Sequence, residues 1–219
     1  MEQVRILNNE SEAVIYLKNR CPRLSRVIDV VGEITYVPYS DYYAFLVHAI
    51  IEQMLSVKVG KVLYERLEIL CGGRVEPNSV IKLSFDEIHS IGLSHHKVSY
   101  ILSLTESVVN GALDLDTLDD LSDQEIISEL KRIKGIGNWT AKMFLIFCLD
   151  RPDVLPYEDL TFVSTYKWAY NARKTTPTSI SRRLKKWKPY SSIGARYLYK
   201  AFDSGITKHP LFLDSDLKH

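Results

Sequence analysis

Apolar residues recur at three- and four-residue intervals along nearly the whole chain, the period of a helix with one buried face. In "DYYAFLVHAIIEQML", Phe45, Ala49, Ile50 and Met54 keep that spacing. "SEAVIYLKNR" and "PRLSRVIDVVG" predict two short helices before it, the second with Pro22 at a favoured early position. "SVKVGKVLYERLEILCGG" predicts a helix that stops at paired glycines. "SFDEIHSIGL" carries a capping box, Ser84 with Glu87 three residues on, and "SDQEIISELKRI" repeats it with Ser122 and Glu125. "SHHKVSYILSLTESVVNG" runs between them, from Ser94 to Asn110 and Gly111. After "NWTAKMFLIFCLD" comes a loop with Pro152 and Pro156, then "DLTFVSTYKWAYN", "SISRRLKKW" and "SSIGARYLYKAF". The one strand candidate is "EITYVPY", and Pro38 demotes it. The pattern predicts an all-α fold.

A length of 219 residues suits one domain or two closely packed lobes, and a hydrophobic content of 46% can fill a sizeable core. The formal net charge of +1 names no partner, but its distribution does. Residues 171–200 hold Arg173, Lys174, Arg182, Arg183, Lys185, Lys186, Lys188, Arg196 and Lys200 with no Asp or Glu. Asp114, Asp116, Asp119, Asp120, Asp123, Glu125 and Glu129 make the segment before them acidic. Such asymmetry points to a face that meets something anionic, although solvated helix faces read the same way. Cys21, Cys71 and Cys148 lie far apart, with no CxxC or Cys/His spacing, which argues against a disulfide framework and for a reducing compartment. "MEQVRILNNESEAV" lacks the pattern of a signal peptide, and "MFLIFCL" is too short to span a bilayer. The expected location is a reducing compartment inside the cell, with no membrane partner.

Candidate chemistry lies in "LKRIKGIGNWTAK", a helix, a four-residue turn and a second helix. Gly135 can end the first helix in a left-handed conformation. Ile136 can plug the space between the helices. Gly137 removes a Cβ where a ligand's approach would be close. The free N–H groups that open the second helix suit a phosphate, each charge-assisted bond being worth roughly 1.5–3 kcal/mol. A plain helical corner would carry the same glycines. Beyond the second helix lies "RPDVLPYEDL". Residues 138–149 make a helix about 18 Å long, and the nine residues from Asp150 to Asp159 span at most roughly 30 Å. The loop can therefore return Asp159 toward the turn. Asp159 also suits the N-cap of a helix starting at Leu160.

"LKRIKGIGNWTA" resembles the helix-hairpin-helix of DNA repair glycosylases, and the proline loop with its acid extends the resemblance to the helix-hairpin-helix, Gly/Pro-loop, Asp superfamily. "YYAFLVHAIIEQMLSVKVGKVLYERL", "IGLSHHKVSYILSLTESV" with Lys97, and "WKPYSSIGARYLYKAF" carry it over roughly residues 42–202. The chain is most similar to the 3-methyladenine DNA glycosylase II subgroup, in its short form without an N-terminal β domain. The resemblance implies two helical lobes with a cleft between them. Residues 38–152 would form the central lobe with the hairpin, and residues 1–37 with 153–219 the other.

It also implies an activity: hydrolysis of the N-glycosidic bond of alkylated purines in duplex DNA by a monomer, leaving an abasic site. By match, Asp159, not Glu158, is the catalytic carboxylate. Trp139, Tyr199 and Met143 shape the base pocket, Met143 standing where one relative has tyrosine. Met54 with Gln53 forms the wedge, and Gly135, Gly137, Thr140, Lys142 and Ser56 hold DNA phosphates. The carbonyls of Lys131, Ile133 and Ile136 would hold a structural Na+ or K+; no other cofactor is required. Lyase relatives carry lysine where this chain has Trp139, which implies no lyase step. Iron–sulfur relatives carry four C-terminal cysteines, and none follows Cys148, so no cluster is expected. Glu52 stands where the family has a small residue, and His95 and His96 read as helix surface. The same fold serves glycosylases for hypoxanthine or oxidised purines, and a non-catalytic damage binder would keep the hairpin.

Overall fold

The computed structural model describes residues 4–211. The chain divides into two compact units, one from residues 39–149 and the other from the segments on either side of it.

The first unit contains α3 (Tyr42–Glu52), α4 (Val57–Leu70), α5 (Pro77–Val80), α6 (Phe85–Ser90), α7 (His95–Val109), α8 (Asp123–Lys131) and α9 (Asn138–Phe147). α3 is its axis, packed against α4, α7 and α9. That position explains a sequence apolar on more than one face: Tyr43, Leu46, Val47, Ala49, Ile50 and Ile51 are all buried. Leu63 and Leu67 of α4, Ile101 and Leu104 of α7, and Phe144 and Leu145 of α9 are buried too. Each large apolar side chain so covered contributes about 1.5–3 kcal/mol. The predicted capping boxes form at both Ser84 and Ser122. The sequence pattern did not reveal α5, a single turn started by Pro77.

The second unit joins α1 (Glu12–Arg20) and α2 (Pro22–Val31) to α10 (Leu160–Tyr170), α11 (Pro177–Leu184) and α12 (Ser191–Asp203). α12 is its centre, touching α1, α2 and α10, and residues 191–198 are buried without a break. Its core includes Leu17, Leu24, Val27, Phe162, Tyr166, Trp187, Tyr197 and Leu198. One buried polar chain crosses it: Trp187 Nε1 donates to the Tyr170 hydroxyl at 3.1 Å, which lies 2.8 Å from Cys21 Sγ. The expectation about strands fails in one place. Ile34–Tyr36 (β2) pairs antiparallel with Arg5–Leu7 (β1), Ile6 opposite Thr35. Three residues are too few to display alternation, and Pro38 lies beyond the ladder, where its missing N–H costs nothing. The fold is otherwise helical, as the periodicity predicts.

Candidate active site

α8 ends at Lys131, and residues 132–137 form the turn. The expected four-residue turn is thus longer, because Ile133 as well as Ile136 folds inward and both are buried. The Ile136 amide donates to the Ile133 carbonyl at 3.1 Å. Gly135 therefore bends the turn, at φ 94°, and does not cap α8. The next helix opens differently from most of its neighbours. α3, α4, α6, α7, α8, α10 and α11 each start under an Asp, Ser or Thr side chain that accepts a first-turn amide. α9 starts under Gly137, which has no side chain to offer. Its internal ladder begins only where the Ala141 amide meets the Gly137 carbonyl at 3.1 Å. The first-turn amides, at the positive end of the helix dipole, remain suited to an anion, and Gly137 and Asn138 are exposed.

The other predicted residues of this unit fall into three groups. Trp139 is half-buried, and Met143, one turn on along the same face of α9, is buried. Thr140 and Lys142 depart from the expectation. Their side chains are covered, 1% and 9% exposed, so the first turn offers a phosphate its main chain. Ser56 is exposed, and its hydroxyl accepts the Val59 amide at 3.4 Å as the cap of α4. Met54 is 99% exposed at φ 58°. Gln53, expected beside it as part of the wedge, instead turns its side chain to the hairpin and donates to the Gly135 carbonyl at 2.8 Å. Glu52 lies over α4, its Cγ in the space a Cβ at Gly60 would need, with its carboxylate 3.7 Å from His48 Nε2. His95 and His96 are exposed as expected, His95 stacking on His89.

In the second unit, the proline loop from Asp150 to Asp159 is fastened to one face of α12. Ser192, Arg196 and Tyr199 share that face by helical spacing. The Ser192 amide donates to the Pro152 carbonyl and its hydroxyl accepts the Val154 amide, both at 2.9 Å. Arg196 donates to Asp150 at 3.0 Å and lies 3.8 Å over the Tyr36 ring. Arg5 and Tyr36 also donate to Asp150, at 3.1 and 2.9 Å. Periodicity alone gave no sign of these fasteners. Arg196 thereby leaves the predicted basic face, and Lys188 lies 3.4 Å from Asp153. On α11 and beyond, Arg182, Arg183, Lys185 and Lys186 stay exposed while Ile180, Leu184 and Trp187 face inward.

The loop ends at Asp159. Its carboxylate accepts the Phe162 amide at 2.7 Å, capping α10, and also accepts the Tyr199 hydroxyl. Burial and the neighbouring Asp159 charge push the Tyr199 phenol well above its ordinary range, so it remains a donor at neutral pH. A carboxylate held by two donors in a half-buried site can stabilise positive charge without first reorganising.

Residues 47–189 match the family described as "HhH-GPD superfamily base excision DNA repair protein". DNA-3-methyladenine glycosylase 1 of Schizosaccharomyces pombe is 27% identical over 91% of this chain and 90% of its own. The crystal structure of DNA-3-methyladenine glycosidase from Bacillus halodurans superposes with a TM-score of 0.84 at 32% identity, covering 98% of this chain and all of that one. The S. pombe enzyme Mag1 in complex with abasic DNA superposes with a TM-score of 0.79 at 26% identity, over 93% of this chain and all of that one. The open-ended hairpin helix and the doubly held carboxylate after a proline loop belong to a chain that is a member of the HhH-GPD superfamily of base excision DNA repair proteins.

Proposed function

We propose that the protein is a monofunctional DNA glycosylase that releases alkylated purines such as 3-methyladenine and 7-methylguanine from duplex DNA. The observation that carries this reading is the Asp159 carboxylate, fixed between the Phe162 amide and the Tyr199 hydroxyl. An alkylated purine in DNA is already cationic. When its glycosidic bond breaks, the bonding electrons stay with the base, which departs neutral, and the positive charge moves to the deoxyribose. Asp159 stabilises that charge. Water then adds to the sugar carbon, its proton leaves to solvent or the carboxylate, and an abasic site remains.

The name of one relative agrees with this chemistry: the S. pombe 3-methyladenine DNA glycosylase Mag1 was captured on abasic DNA. Trp139 in one unit and, separately, Tyr199 in the other are electron-rich rings of the kind that attract a cationic base. The amides that open α9 suit a DNA phosphate. Hydrolysis without a lyase step follows from Trp139, because an indole cannot form the Schiff base that strand cleavage needs. The carbonyls of Lys131, Ile133 and Ile136 are neutral oxygen donors that suit Na+ or K+. Ile133 keeps a second lone pair beside the one that accepts the Ile136 amide. Such an ion would add positive charge to the phosphate-binding face.

The test is release of labelled methylated purines from alkylated duplex DNA. The wild-type protein should release base, leave the strand intact and give no borohydride-trapped adduct. Asp159→Asn should lower release at least about 100-fold while still binding abasic-analogue DNA. Release by the variant at the wild-type rate would remove Asp159 from the mechanism.

A further inference from the structure

α3 stops at Glu52, and the chain leaves it through Gln53 at φ −48°, ψ 123°. Met54 follows at φ 58°, and the Leu55 amide closes the turn on the Glu52 carbonyl at 2.9 Å. A side chain in the left-handed region costs about 1–2 kcal/mol. Here the strained residue is also a large apolar one that buries nothing, being 99% exposed. Neither feature helps the isolated chain. Both help if Met54 must stand out from the surface in one fixed direction.

Three hydrogen bonds hold it there. Lys97 Nζ donates to the Ile51 carbonyl at 2.6 Å and to the Gln53 carbonyl at 2.8 Å. These carbonyls lie at the end of α3, where the helix offers no donor of its own. Gln53 Nε2 donates to the Gly135 carbonyl at 2.8 Å. Lys97 comes from the first turn of α7, and its partial burial lowers its pKa. Gln53 ties the same turn to the hairpin. A simple helix cap would need neither the left-handed methionine nor the bond to Gly135.

We propose that Lys97 and Gln53 are positioning residues that hold Met54 outward and couple it to the hairpin. The anchoring of a phosphate and the insertion of Met54 then act on the duplex as one rigid piece. The proposal rests on the glycosylase reading above, with Met54 filling the gap an extruded nucleotide leaves. Extrusion costs a few kcal/mol, least where the base is already mispaired. A held wedge offsets that cost because its ordering was completed on folding.

The experiment compares single-turnover base release from two duplexes, with 7-methylguanine opposite cytosine or opposite a mismatched base. Lys97→Met should slow release from the paired duplex about 10-fold and from the mismatched one less than about 2-fold. Met54→Ala should show the same preference, and the double variant should be no slower than Met54→Ala alone, as coupled residues require. Should Lys97→Met fail to fold, Gln53→Ala reads the same comparison. Equal loss on both duplexes, an additive double variant, or no loss would overturn the proposal. If the wild-type protein releases base from neither duplex, the glycosylase reading falls and takes this proposal with it.

Discussion

A β-carbon added at Gly135 would lie 2.2 Å from the Tyr100 ring, at a φ of 94°. The same addition at Gly137 would meet nothing within 4 Å, at a φ of −105° that any residue adopts. The first glycine is required by the fold. The second has no steric reason within the described residues to be glycine, and a bare backbone there suits the close approach of a phosphate that the proposed function requires. Gly135→Ala should cost about 3 kcal/mol of stability in urea unfolding. Gly137→Ala should change stability by less than about 0.5 kcal/mol and weaken DNA binding about 10-fold. Sequence reasoning read Gly137 and the cap at Asp159 from local chemistry. It did not find the hydroxyl that Tyr199 gives to Asp159, because that bond joins residues forty positions apart. It also left Glu52 undecided, and the small side of α4 at Gly60 is what admits it.

Among elements, the proline loop has no regular structure and owes its shape to α12. Ser192, Arg196 and Tyr199 act as successive rungs, so a change at one rung reaches Asp159 through the loop. Arg196→Met should cost about 3 kcal/mol in denaturant unfolding, because it strips the half-buried Asp150 of one cation. Removing both charges in an Asp150→Asn, Arg196→Met double variant should cost less than the two single costs added together. The helices were legible wherever an apolar stripe and a cap coincided, as at Ser94 and Ser122. Legibility ended at α5 and at the β1–β2 ribbon, elements shorter than two full periods of their own pattern. The premature end of α8 was hidden because Ile133 fits the helical stripe and yet leaves the helix.

At the scale of the whole molecule, the near-neutral net charge conceals separated signs. Exposed Arg182, Arg183, Lys185 and Lys186 and the opening of α9 supply positive potential, while Asp114, Asp116 and Asp120 are exposed on another part of the chain. If about four phosphates are neutralised, affinity for undamaged duplex should fall about 100-fold between about 50 and 200 mM salt. Fluorescence anisotropy titrations would measure it, and a flat response would remove the phosphate contacts. The class of fold could be read from periodicity. The central places of α3 and α12 could not, because packing order depends on which faces meet. α3 gave a hint in carrying apolar residues on more than one face, whereas α12, which buries Ser191, Ser192 and Arg196, gave none.

Most helices of this protein begin beneath a group that the chain itself provides, but α9 begins beneath a bare glycine. On the proposed function a DNA phosphate would complete its first turn, which would make the substrate's backbone a capping group in its own right. Binding energy and local helix stability would then be one quantity there, and DNA would stabilise the fold as it binds.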